Sequence, residues 1–229
     1  MDRDLAPVTR NLALFASALL LVMMLLTFAT GVAQEPFEVV RPLEAYRAEL
    51  RDQASTLQLI LALDALFIAA YSAFFVVFAR AVEGHGVREL LRLGTLALLV
   101  TAGLDMLEDQ QLFALSRSVV FGEELGWTTL RAQHVLSQTK FHVSYVGLFL
   151  LGLGLPRRGP FERLFAGSIA LPMPVLGAVL WVAPPSLVGP LSVVRWFGFL
   201  AGFAGAVVLC QRATKTGAPA RESATSARA

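Results

Sequence analysis

Long apolar runs separated by short polar connections set the pattern of this chain. A bilayer core about 30 Å thick takes about 20 mostly apolar helical residues. Six segments meet or approach that length, at residues 11–33, 57–78, 90–115, 134–155, 161–182 and 187–210. The first, second, fifth and sixth stand out clearly. The third and fourth carry charges, and only their apolar halves are obvious. The pattern predicts an all-α integral membrane protein, a six-transmembrane-helix bundle over residues 1–212. Within the 34–56 connection, Leu43, Tyr46, Leu50 and Leu57 recur near helical spacing. This predicts a short amphipathic helix over 43–53, lying on the outer surface as a cap and leading into the second span. Residues 213–229, rich in Ala, Ser, Thr and Arg, are expected to form a disordered cytoplasmic tail.

Composition supports lipid as the solvent. Hydrophobic residues make up 56% of the 229 positions and charged ones 16%, against about 25% charged in a soluble domain. A formal charge of +2, with no basic face interleaved with aromatics, gives no reason to expect nucleic acid. Cys210 is the single cysteine, which excludes an internal disulfide and a Cys-rich metal site. With the amino terminus inside, twelve Lys and Arg residues fall on the cytoplasmic side and five on the outer side. That asymmetry predicts both termini cytoplasmic and a multi-pass protein of the bacterial inner membrane. Gly31-Val32-Ala33 loosely resembles a signal-peptidase site. The apolar run before it is longer than a usual signal-peptide core, so a retained anchor is expected.

The ionisable residues within the spans gather in one half of the bilayer. Counting helical rise places Asp64 about 10 Å, and Lys140 about 6–10 Å, below the outer boundary. Asp105, Glu108 and Asp109 fall in the same half, and Arg195 enters the last span at similar depth. Asp64 and Tyr71, seven residues apart, share a helix face. Thr101, Asp105 and Glu108 form one stripe on the third segment. On the fourth, Gln133, Ser137, Lys140 and Ser144 form another, and Arg131, His134, Gln138, His142 and Tyr145 a third. An ionised side chain at a helix centre costs about 2.5–3.5 kcal/mol on insertion scales. These residues are therefore expected to pair with one another or to line a water-filled pocket among spans two, three, four and six.

Three functions suit such a cluster. In the leading one, an outward-facing pocket binds, and in its stronger form modifies, a lipid or other amphiphile. Asp105 and Glu108 are the candidate catalytic acid and base. Asp64, Tyr71, Lys140, His142 and Arg195 are the candidate substrate-binding residues, with Lys140 holding an anionic headgroup or a developing oxyanion. No Gly-x-Ser-x-Gly nucleophile motif is present. The second is a proton- or ion-coupled carrier, for which Pro172 and Pro174 offer a kinked helix. The third is a scaffold or accessory subunit in which the charges form a structural ion-pair network. His134 and His142 stand about 12 Å apart along one helix axis, too far to share one metal; one His with Asp64 and Asp105 is the metal arrangement left open, and no metal or cofactor is assigned. Membrane lipids are the expected partners. Gly198 and Gly202 form a GxxxG suited to packing within the bundle or to a homodimer. Trp127 and Trp181 fit interfacial anchors, and Trp196 a place beside the cluster.

Overall fold

The computed structural model describes residues 1–215. They form seven α-helices: α1 (Ala6–Thr30), α2 (Leu43–Glu83), α3 (Arg88–Val120), α4 (Trp127–Gly154), α5 (Pro160–Ala170), α6 (Pro172–Val182) and α7 (Pro185–Lys215). Five stretches are long and apolar enough to cross a membrane: α1, α2, α3, the α5–α6 pair taken as Pro160–Val182, and Leu187–Thr214 of α7. The chain is thus an all-helical, multi-pass membrane protein. α4 has 28 residues, but Arg131, His134, Lys140 and His142 dilute its apolar character. Large apolar side chains face outward from the bundle, such as Phe15, Leu25 and Leu164, as expected where the surroundings are hydrocarbon.

Three expectations change. The segment over 43–53 is helical but is not a separate surface element, because α2 runs unbroken for 41 residues from Leu43. No Gly or Pro lies between Leu43 and Leu57 to break it. Its apolar face, with Tyr46, Leu50 and Leu57, continues into a core with Leu112 and Val119 of α3. Residues 213–215, expected in the tail, instead prolong α7, and 216–229 lie outside the described residues. The expected kink at the prolines takes the form of a break. α5 ends at Ala170, Leu171 separates the two helices, and α6 starts at Pro172, whose missing N–H suits a first helical turn.

Packing closes the helices into a ring. α1 lies against α2, α2 against α3 and α3 against α4; α4 meets α5 and α6, which meet α7, and α7 returns to α1. Glycines set the α3–α4 approach. A Cβ at Gly94 would lie 2.6 Å from the Leu151 backbone nitrogen, and one at Gly147 would lie 2.8 Å from Leu98 Cγ. Small residues at such contacts let helix backbones approach closely. On α7, Gly198 faces Met173 of α6 and Gly205 faces Phe165 of α5, whereas Gly202 meets open space.

The connection between α1 and α2 folds back onto the bundle. Gly31 ends α1 in the left-handed region at φ 72°, its N–H donating to Thr27 O, the usual role of a glycine past a helix end. Phe37, fully buried in the short 3₁₀ turn Glu35–Phe37, packs edge-on against Tyr46. The Arg41 guanidinium covers both rings at 5.2 and 5.3 Å and pairs with Glu49. These anchors hold Gln34, Glu35 and Glu38 against the end of the ring.

Candidate functional site

Lys140 is the centre of the polar cluster. It projects from the buried face of α4, on the same stripe as Gln133, Ser137 and Ser144. At 5% exposure, its ammonium has no water shell to rely on and needs protein acceptors. It donates to Asp105 Oδ1 at 2.7 Å and to Glu108 Oε2, and lies 3.8 Å from Glu38 Oε1. Asp105 and Glu108 sit one helical turn apart on α3, so both carboxylates reach the same cation. Each has a further donor: Tyr71 Oη donates to Asp105 Oδ2 at 2.9 Å, and Gln133 Nε2 to Glu108 Oε1 at 3.4 Å.

A second cation stands nearby. Arg195 of α7, 7% exposed, lies 3.6 Å from Glu35 Oε1, and its guanidinium covers the Phe141 ring at 4.0 Å. It stacks on Phe141, while Trp196 meets Phe28 edge-on at 6.3 Å. Burial, reinforced by neighbouring Glu38, raises the Glu35 carboxyl above the ordinary range despite Arg195. Asp109 of α3, 2% exposed, accepts from Gln34 Nε2 at 3.1 Å on one oxygen; its other oxygen has no partner among the described residues.

The acids outnumber the cations. Six carboxylates gather here (Glu35, Glu38, Asp64, Asp105, Glu108, Asp109), against Lys140 and Arg195. Asp64, Asp105 and Asp109 each offer an oxygen within 4.8 Å of the others, the oxygen chemistry of a hard divalent cation. Both oxygens of Asp105 are already engaged, and the Lys140 ammonium stands on one of them. Neither His134 nor His142 belongs to this trio. His134 Nδ1 lies 3.1 Å from the Glu38 carbonyl. His142 is exposed, bonded to the Gln138 carbonyl and edge-on to Trp181.

The cluster opens onto a cavity of about 160 Å³ within the ring. Its polar lining is Asp64, Asp105, Lys140, Tyr71, Glu35 and Arg195, and its apolar lining includes Leu20, Met23, Leu98, Leu148, Phe199 and Phe203. A wider space of about 780 Å³ lies against the α1–α2 connection and shares Glu35, Glu38, Phe141, Arg195 and Trp196 with the cavity wall. The Glu35–Arg195 pair therefore stands between the two spaces.

The structure brings together Asp64, Tyr71, Asp105, Lys140 and Arg195 around the cavity, with Glu108 behind Lys140. It places His142 apart, in the wider space. Sequence reasoning missed Glu35, Glu38 and Gln34 as members. Phe37, an aromatic amid acidic residues, was the one hint of an inward fold, and no local periodicity tied it to a partner. No family model, curated protein or solved structure matches the chain.

Proposed function

We propose that this protein binds an amphiphile in the ring cavity, polar head toward Asp64, Asp105 and Lys140 and tail along the apolar lining. The carrying observation is one cavity whose mostly apolar lining also carries the charged groups of Asp64, Asp105, Lys140 and Arg195. Binding pockets of this type combine mostly apolar lining with a few convergent polar groups. The shared wall with the wider space supplies a route of entry past Glu35 and Arg195.

In this reading the membrane is a bacterial inner membrane, both termini are cytoplasmic, and the α1–α2 connection faces outward, in line with the distribution of Lys and Arg. α4 also crosses in this reading, as the fourth of six spans. It runs antiparallel along α3, from Gln133 beside Glu108 to Gly154, whose carbonyl accepts from Val87 N–H at 2.9 Å. That stretch covers about 32 Å at 1.5 Å per residue, the thickness α3 itself must cross.

Chemical modification of the amphiphile is the stronger form, with Asp105 and Glu108 as acid and base. Turnover lost in Asp105→Asn would support it. A proton- or ion-coupled carrier is a second reading, favoured by the break at Leu171, since interrupted helices occur where transporters bind and gate. Flux into proteoliposomes would separate the two.

Native mass spectrometry of protein reconstituted with total membrane lipid and released into a nonionic detergent tests the binding reading. One bound amphiphile is expected on the wild type and none on Ser144→Phe, which fills the cavity from a 6% exposed position. A wild type that carries no adduct, or a folded Ser144→Phe that keeps it, would overturn the proposal.

A further inference from the structure

We infer that the amphiphile's head is cationic, an amine or quaternary ammonium held at Asp64 beneath aromatic rings. The inference rests on the amphiphile reading and names its head-group class. The sequence alone suggested that Lys140 would take an anionic head. The geometry reverses this, because neither buried cation is free. Lys140 is held by Asp105 and Glu108 with Glu38 at 3.8 Å, and Arg195 by Glu35 and the Phe141 ring. An anion would have to approach among the carboxylates already paired with both cations.

The uncommitted groups are acids. Asp64 lines the cavity and has no hydrogen-bond partner among the described residues. Within 4.8 Å of it, oxygen to oxygen, stands Asp109, 2% exposed and with one carboxylate oxygen unpartnered. A carboxylate oxygen buried without a partner is costly, and a ligand cation beside the half-buried Asp64 would offset that cost at Asp109 while pairing with Asp64 itself. The lining of the cavity also includes Phe67, Tyr71, Phe75 and Trp196. Ring faces attract a desolvated cation and are the recurring means of recognising quaternary ammonium groups. Phe67 and Tyr71 already lie edge to face at 5.2 Å, as do Tyr71 and Phe75 at 6.1 Å, so the rings meet at angles, as the walls of a cage do.

The test uses the full chain in nonionic detergent and three probes of equal tail length: hexyltrimethylammonium, hexanol and hexanoate. Saturable binding is read by calorimetry and by the fluorescence of the tryptophans. Hexyltrimethylammonium is expected to bind at least tenfold more tightly than hexanoate, with hexanol between them. Asp64→Asn should remove most of that preference, while Asp52→Asn, at an exposed position on α2, should keep it. Hexanoate binding as tightly as the cation would overturn the inference and leave the amphiphile reading standing. Saturable binding by none of the three would overturn both. The wild-type ranking decides by itself if Asp64→Asn does not fold.

Discussion

Lys140 shows most directly how a buried charge is tolerated, and how removing it should fail. Deleting one partner of a buried ion pair typically costs about 3–5 kcal/mol, because the other charge is left uncompensated. Lys140→Met should therefore destabilise the protein by that order, leaving Asp105 and Glu108 facing each other at 9% and 0% exposure. Adding Asp105→Asn and Glu108→Gln to Lys140→Met should restore much of the loss. Thermal unfolding of the single and triple variants in one detergent checks this, and a triple variant no better than the single would sink it. Glu35 makes a different prediction, about pH. Its carboxyl is raised by burial and by Glu38, so just above the ordinary carboxylate range the native state holds a proton that the unfolded state has released. Stability from this group is then present at lower pH and is lost as pH rises through the raised value. Glu35→Gln should flatten that part of the stability profile, as measured by melting temperature against pH; an unchanged slope would refute the assignment.

At the scale of elements, the α3–α4 contact depends on a missing Cβ. Gly94→Ala would place a carbon 2.6 Å from Leu151 N and 2.9 Å from Gly147 O, both backbone atoms that cannot rotate away. Overpacking of this kind costs about 1–3 kcal/mol. Gly103→Ala on the same helix meets nothing within 4 Å and should be neutral or stabilising, since Ala is favoured over Gly in helices by about 1 kcal/mol. Comparing the two melting temperatures isolates the contact from helix propensity. This element also shows what the sequence could reveal. The apolar runs marked the helices because hydrocarbon leaves few other solutions for the backbone, and helical spacing placed Asp105 and Glu108 on one face. Seven-residue spacing likewise aligned Asp64 with Tyr71. The unbroken α2 was less legible, because an amphipathic segment followed by an apolar one has the same pattern whether or not the helix bends between them. Glu35 and Glu38 were hidden because their inward position depends on Phe37 finding Tyr46 across the loop, a tertiary contact with no local periodicity. Lys140 was seen as a cluster member, but its commitment to carboxylates was not, since pairing depends on which faces of α3 and α4 meet.

At the scale of the whole molecule, the number of crossings follows from how α4 is used. α3 is apolar enough to cross a membrane and α4 is not identified as such, yet the two lie side by side. Gly147 packs on Leu98, Gly154 on Leu91 and Lys140 on Asp105, so the partner rows run antiparallel along both helices. The polar stripe of α4 turns inward, with Gln133, Ser137, Lys140 and Ser144 all buried, while Val135, Val146 and Phe149 face outward. The Lys140 charge, sheltered in this way, does not prevent insertion; it lowers the average hydropathy of the segment without exposing the ammonium to lipid. If α3 crosses, a helix paired with it over about 30 Å must cross too. The test is labelling of single cysteines by a membrane-impermeant reagent in a Cys210→Ser background, since Cys210 is the native thiol. Val40→Cys and Glu123→Cys should label from one side, and His85→Cys and Arg158→Cys from the other; all four positions are exposed. Glu123 and Arg158 flank α4, so labelling of both from the same side would mean that α4 does not cross. The count would then fall to five, and the ring that encloses the cavity would not hold together across the bilayer. Opposite labelling, with Val40 on the outer face, would make six crossings and set the Glu35–Arg195 pair at the outward mouth, where an amphiphile from the outer leaflet would enter.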